Sequence, residues 1–220
     1  MTLAGLCADC RHAQRIESVR QSAFYLCRRS ALDSRFAKYQ RLPVLVCSGH
    51  ETLIRINDLL LQEFDEEMKK TRRTLERVSA GKGDFAPHPK SMPLGKLAPH
   101  VAQLASFGLT ILTEPGLDFA QRRFTPLPFE SAAQLVRALD EGAAKVRSAL
   151  QAMSDVAWDE PWKLSFQEKT IFEGSRFLAY REMFLNHIVH HRAQLGVYLR
   201  LNDAAVPATY GPSADETLGF

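Results

Sequence analysis

Apolar residues recur at steps of three and four positions along most of the chain after Glu51, a spacing that predicts helices with one buried face. In the first such segment, Glu66, Lys69 and Arg73 lie between the apolar positions. The four segments with this pattern are separated by breaks that contain glycine, proline or serine: 53–78, 94–111, 131–153 and 176–201. Helices of this length, without a strand-rich region, predict an all-α fold arranged as a four-helix bundle.

Two connecting segments refine this plan. The link 114–130 is too long for a tight turn, so we expect a crossover between the second and third helices. Trp162, Leu164 and Phe166 alternate with polar residues, which predicts one arm of a short hairpin. We expect this hairpin to be a minor addition to a helical fold.

The composition is typical of a globular protein. Of the 220 residues, 45% are hydrophobic and 24% are charged, which excludes disordered, collagen-like and low-complexity chains. The longest segment without Asp, Glu, Lys or Arg, 97–113, contains His100, Gln103 and Ser106, so we expect no membrane association. The N-terminus lacks the basic region of a signal peptide, and we therefore expect a cytoplasmic protein.

The first fifty residues differ from the rest in charge and in cysteine content. They carry eight basic and three acidic residues, against 20 basic and 22 acidic residues in the remaining chain, and they contain all four cysteines. Clustered cysteines in a reducing compartment favour metal binding over disulfides. We therefore predict a cysteine-rich module over 1–50, a helical domain over 51–216 and a short tail over 217–220.

The cysteine spacing predicts a structural zinc site. Cys7 and Cys10 form a C-x2-C pair, Cys27 follows, and Cys47 opens a C-x2-H pair in which His50 is the alternative fourth ligand. A segment this short buries little apolar surface, and a tetrahedral zinc ion would stabilise it. The alternative is a packed segment with four free thiols. Basic zinc modules can also bind nucleic acid, but no finger or RNA-binding motif is present, and we expect no nucleic-acid partner.

Three histidines interrupt the apolar faces of the helical segments. His187 and His191 lie one turn apart on the buried stripe of the last helix, and His100 follows Leu97 and precedes Leu104 on the second. Buried polar groups without partners cost roughly 1 to 3 kcal/mol each, so these imidazoles need a compensating interaction. A pair at i and i+4 can bind one metal ion, and a third histidine would leave a position open for chemistry.

Other residues compete for roles near this stripe. His190 and His88 are alternative third ligands, although His190 is rotated by roughly 100 degrees from its neighbour on the helix. Pro99 directly precedes His100, so the second helix either begins near this proline or bends there. Arg192 and His190 are candidates for contacting an anionic substrate, and the alternative is a solvated helix face.

Four sequence motifs resemble those of the DinB-like, or YfiT-like, family of metal-binding four-helix bundles. The motifs are EFDEEMKKTRRTLERV (63–78), HPKSMPLGKLAPHVAQL (88–104), LNHIVHHRAQLGVYLRLN (185–202) and VPATYGPSADE (206–216). The resemblance covers about 51–216 and implies a divalent ion held by one histidine of the second helix and two of the last, here His100, His187 and His191. Zinc or nickel is favoured, and iron or manganese is also compatible.

The resemblance implies a thiol-dependent transferase or a metal-dependent hydrolase that acts on a small molecule. A low-molecular-weight thiol is the expected cosubstrate, because the helical domain has no cysteine. A homodimer is also compatible with the family. Two alternatives remain: a metal-bearing binding or sensing module without turnover, and a structural bundle whose histidines are hydrogen-bonded in the core.

Overall fold

The computed structural model describes residues 4–19, 21–122 and 124–217, so most of the predicted tail lies outside the described residues. The chain divides into two compact units, Met1–Arg55 and Ile56–Phe220. All helices longer than one or two turns in the described part of the chain belong to the second unit.

The first unit contains a β-hairpin. Strands β1 (Ala13–Glu17) and β2 (Ala23–Cys27) pair antiparallel, with Ala13 opposite Cys27. Short 3-10 turns cover Leu6–Ala8 and Arg28–Ala31. No disulfide is formed, and the four cysteine side chains are only partly exposed.

Helices form over the four segments in which the apolar period predicts them. They are α1 (Ile56–Leu75), α2 (Leu94–Thr113), α3 (Ala132–Ala152) and a last helix that consists of α4 (Arg176–Ala179), a π-helical segment (Tyr180–Asn186) and α5 (His187–Leu201). Serine caps the N-termini of two of them: Ser131 Oγ accepts from Gln134 N, and Ser175 Oγ accepts from Leu178 N. None of the helices in the described residues is long and apolar enough to cross a membrane.

The helices pack around one apolar core. Helix α3 contacts α1 and α2, and α5 contacts the same two helices. The largest side chains that are fully buried are Trp158, Trp162, Tyr180, Phe64 and Phe184. Short 3-10 turns at Ala80–Lys82 and Asp155–Trp158 connect the helices.

The predicted all-α class is wrong, because the described residues form a mixed fold with two sheets. Besides the β1–β2 hairpin, β3 (Gly116–Asp118) pairs parallel with β4 (Pro161–Phe166), and β4 pairs antiparallel with β5 (Lys169–Ser175). The link that we expected to be a plain crossover therefore supplies a strand. A three-residue strand is too short to show a period, and its partner lies far away in sequence, so local patterning does not reveal it. The description of an all-α bundle with an appended zinc module is replaced by this α+β architecture.

Pro99 lies inside α2, and the helix begins five residues before it, at Leu94. The expectation that the helix begins near the proline is therefore wrong. Proline has no N–H to donate to the carbonyl of residue 95, which removes one hydrogen bond of the first turns. His100 consequently lies in the second turn of an established helix.

Candidate metal centre

His100, His187 and His191 come together between α2 and α5. One ring nitrogen from each lies within 4.8 Å of the others, and among the described His, Cys, Asp and Glu residues this is the only group of three or more that meets this limit. The ring centroid of His100 lies 5.3 Å from that of His187 and 4.6 Å from that of His191. All three side chains are partly buried.

Hydrogen bonds at Nδ1 of His187 and of His191 determine which ring nitrogen is unprotonated. His187 Nδ1 lies 3.2 Å from the carbonyl oxygen of Met183, and His191 Nδ1 lies 2.7 Å from Gln194 Oε1. Both partners accept hydrogen bonds, so each Nδ1 carries the proton and each Nε2 of a neutral ring carries a lone pair. These two Nε2 atoms lie 2.8 Å apart. Two lone pairs that face each other at this distance repel unless a cation lies beside them.

The pKa values of the cluster favour neutral imidazoles. Burial, followed by the nearby His191 and His187, lowers the pKa of His100 to about 4. Burial also lowers the pKa of His187 and of His191, although the hydrogen bonds to Met183 and Gln194 act in the opposite direction. Neutral imidazole is the form that binds metal ions.

A buried ion pair fixes the helix that carries two of these histidines. Arg192 Nη2 donates to Glu67 Oε2 of α1 at 2.6 Å, and Tyr210 Oη donates to the same oxygen at 2.6 Å. The alternative of a solvated helix face is wrong for Arg192, because its side chain is buried against α1 and Tyr210. Arg192 also lines a cavity of about 380 Å³, and its contact with an anionic substrate stays a prediction. Successive helix residues are about 100 degrees apart, so an Arg192 directed at α1 leaves His191 directed at α2.

The other candidate histidines lie outside the cluster. His190 is exposed, and its ring stacks edge-on against His191 with 4.9 Å between centroids. His88 lies in an exposed loop, where its Nδ1 accepts from the backbone N–H of Lys90. His50 Nε2 lies 3.0 Å from Asp9 Oδ1.

The four cysteines line one small cavity in the first unit. Cys7, Cys10, Cys27 and Cys47 surround it together with His50, and its volume is about 20 Å³. Burial, followed by the neighbouring thiols, raises the pKa of Cys7. No three of the sulfur atoms lie within 4.8 Å of one another, in contrast to the histidine nitrogens. Zinc ligation by these cysteines stays a prediction.

The comparisons with known proteins identify the family of the chain. The DinB superfamily profile matches residues 63–195, which is more than half of the chain and includes all three histidines. The chain belongs to the DinB superfamily. The DinB match begins after the cysteine segment, which is therefore an addition to the matched region. No curated protein matches the chain in sequence.

Solved DinB-like structures share the fold. A DinB-like protein from Bacillus cereus superposes with a TM-score of 0.54 at 21% identity, over 70% of this chain and 97% of that one. A DinB-like protein from Bacillus subtilis superposes with a TM-score of 0.55 at 16% identity, over 69% of this chain and 97% of that one. At these identities, the likeness shows the fold of the DinB unit.

The sequence interpretation did not identify the residues that orient the cluster. Gln194 and the carbonyl of Met183 hold two rings, and Tyr210 bridges Glu67 and Arg192. One signal was present: Glu67 lies three residues after Phe64 on the apolar stripe of α1, where a charged side chain needs a buried partner. The partner is 125 positions away, and nothing in the local pattern identifies it.

Proposed function

We propose that this DinB protein is a divalent-metal-dependent enzyme in which His100, His187 and His191 hold the ion. The observation that carries the proposal is the 2.8 Å approach of the Nε2 atoms of His187 and His191, in a cluster where one ring nitrogen from each of the three histidines lies within 4.8 Å of the others. Three neutral imidazoles suit zinc or nickel, and they are compatible with iron or manganese.

A bound divalent ion with three protein ligands supplies a position at which a thiol or a water molecule is deprotonated near neutral pH. The residues of the chain orient the donors: Met183 and Gln194 hold the protons on Nδ1 and leave Nε2 unprotonated. The helical unit contains no cysteine, so a thiol nucleophile would be a second small molecule. We propose that the reaction is transfer to such a thiol, or hydrolysis.

Elemental analysis of untagged protein tests the metal site. The wild type is compared with the His187→Ala, His191→Ala double variant, and His190→Ala is the matched control because it removes a neighbouring imidazole from outside the cluster. We expect the double variant to lose one metal equivalent and His190→Ala to keep it. Circular dichroism verifies that the variants fold. Equal metal content in the wild type and the double variant would contradict the proposal.

Turnover is tested separately on the metal-loaded protein. Low-molecular-weight thiols are incubated with small electrophiles, and ester or amide substrates are used for hydrolysis. Turnover that disappears in the double variant supports an enzyme. A metal-loaded protein that binds such compounds stoichiometrically and converts none of them is a binding or sensing module instead.

The same samples test the cysteine cavity. We propose that Cys7, Cys10, Cys27 and Cys47, which line one small cavity, hold a structural zinc ion. The double histidine variant should then keep one equivalent of zinc. A double variant without any metal would show that the cysteines are free thiols.

A further inference from the structure

A cavity of about 360 Å³ adjoins the three-histidine cluster. His100 and His187 form part of its wall, and Phe107, Phe119 and Met183 are among its apolar lining residues. Its volume lies in the range of small-molecule sites, which are roughly 300 to 1,000 Å³. The cavity is therefore large enough for a compact organic molecule next to the histidines.

The lining carries no charged side chain among the described residues. Apart from the two histidines, its polar members are Gln103 and Ser106. The Gln103 amide is already engaged, because Nε2 donates to the carbonyl of Thr125 at 2.9 Å and Oε1 accepts from the N–H of Leu127 at 2.9 Å. A cationic group in this cavity would lose its hydration without gaining an acidic partner from the lining.

Aromatic rings form one wall of the cavity. Phe107 of α2 and Phe119 stack with 6.3 Å between ring centroids, and Phe124 meets Phe119 edge-on at 5.9 Å. Gln103 fixes the backbone directly after Phe124 through the two hydrogen bonds described above. Phe119 and Phe124 are 37% and 47% exposed, so the aromatic wall leaves apolar surface that a bound apolar group would cover.

We propose that this cavity binds the uncharged, apolar part of the substrate, an aromatic ring or a branched hydrocarbon, and holds the reacting atom beside His100 and His187. The inference rests on the proposed function for the role of the histidines. It adds the substrate class: a molecule whose part inside the cavity is a compact, uncharged apolar group without an ammonium or other cationic group.

Binding of a matched pair of probes tests the proposal. Benzyl alcohol and benzylammonium have the same size and differ in charge, and neither is a strong metal ligand at neutral pH. Ligand-observed NMR titrations use the full chain, once loaded with zinc and once treated with chelator. We expect benzyl alcohol to bind at least about tenfold more tightly than benzylammonium in both samples, because the preference comes from the apolar lining and not from the ion alone.

Two serine variants locate the binding site. Ser106 is an exposed residue of α2 on the cavity wall, so Ser106→Trp should fill the cavity and weaken benzyl alcohol binding by about tenfold or more. Ser148→Trp, on an exposed position of α3, is the control and should bind as the wild type does. Both variants should keep the metal content of the wild type.

The outcomes separate the two proposals. A protein that binds metal at the histidines but binds benzyl alcohol no better than benzylammonium, or binds it equally in Ser106→Trp, overturns the substrate class and leaves the metal site standing. A protein without metal that still binds benzyl alcohol in a manner sensitive to Ser106→Trp overturns the proposed function and retains the apolar binding site.

Discussion

Arg192 Nη2 lies 2.6 Å from Glu67 Oε2, and the exposed fractions of the two side chains are only 3% and 7%. The second guanidinium nitrogen donates to the carbonyl of Glu67 and to Thr71 Oγ1, both at 3.1 Å. Tyr210 Oη accepts from Arg192 and donates to Glu67, which completes the network. This interaction joins α1, α5 and the C-terminal segment directly behind the histidine cluster.

Removal of either charge should destabilise the protein strongly. Arg192→Met removes the hydrogen bonds of the buried guanidinium and leaves Glu67 paired with Lys70 Nζ at 3.0 Å, so we expect a loss of about 1.5 to 3 kcal/mol. Tyr210→Phe removes only one hydroxyl from the network and should cost about 1 to 3 kcal/mol. Urea unfolding followed by circular dichroism measures both. If Arg192→Met unfolds at the same urea concentration as the wild type, the pair does not stabilise the fold.

The contribution of Glu67 should depend on pH. Burial raises the pKa of this carboxyl, but hydrogen bonds from Tyr210, Lys70 and Arg192 outweigh burial and lower the pKa below its ordinary value of 4.5. A carboxyl whose folded pKa is lowered stabilises the protein fully above the unfolded pKa and loses this contribution as pH falls through the folded pKa. The stability difference between wild type and Glu67→Gln should therefore shrink below about pH 4.5. A difference that stays constant down to about pH 3 would contradict this.

Metal binding should stabilise the wild type and His190→Ala much more than His191→Ala. A ligand at a hundred times its dissociation constant stabilises the folded state by about 2.7 kcal/mol. Zinc should accordingly raise the Tm of wild type and of His190→Ala, and chelator should reverse the increase. His191→Ala should show a much smaller response. Differential scanning fluorimetry measures all three, and an equal response of His191→Ala would place the ion elsewhere.

Asn57 of α1 hydrogen-bonds both to the end of α3 and to the 3-10 turn that follows α3. Its Oδ1 accepts from Trp158 Nε1 at 2.7 Å, and its Nδ2 donates to the carbonyl of Met153 at 2.5 Å, with the side chain fully buried. Asn57→Ala leaves both groups unsatisfied and should cost about 2 to 5 kcal/mol. Gln151→Ala truncates an exposed amide near the end of α3 and should change the free energy of unfolding by less than about 0.5 kcal/mol. Tryptophan fluorescence during urea unfolding measures both variants.

Two helical glycines should respond in opposite directions to substitution by alanine. A Cβ at Gly108 would lie 2.7 Å from the ring of Phe184, whereas a Cβ at Gly196 would have Val206 Cγ1 as its nearest neighbour at 3.8 Å. Gly196→Ala should gain about 0.5 to 1 kcal/mol from reduced backbone entropy in the unfolded chain. Gly108→Ala should lose about 1 to 3 kcal/mol from overpacking. Thermal unfolding compares them, and stabilisation by Gly108→Ala would mean that Phe184 moves freely.

The π-helical segment at Tyr180–Asn186 is a feature that the apolar period does not predict. The stripe of the last helix continues through Tyr180, Phe184, His187 and His191 at steps of three and four, as an ordinary helix would. The wider π turn changes the rotation of the helix just before His187, and such turns are frequent at functional sites. The i and i+4 spacing still brings His187 and His191 together, because both lie in the regular part, α5.

Local periodicity predicted the four helical segments and the three histidines, because each depends on residues three or four positions apart. The amino-acid pattern also identified the DinB resemblance, which the family match confirms. The same pattern led to the wrong fold class. The alternation of Trp162, Leu164 and Phe166 predicts an arm of the hairpin formed by β4 and β5, but β1, β2 and β3 have only three to five residues each and show no clear period.

Only the tertiary structure decided which distant residues meet. The burial of Arg192 against Glu67, the orientation of His191 by its rotation away from that pair, and the aromatic wall beside His100 all join segments that are far apart in sequence. The sequence by itself determined the helices and the imidazoles on their inner faces, because these follow from nearest-neighbour geometry along the chain. Long-range pairing depends on the packing of whole helices, so contacts such as that of Arg192 with Glu67 are not contained in the local pattern of either segment.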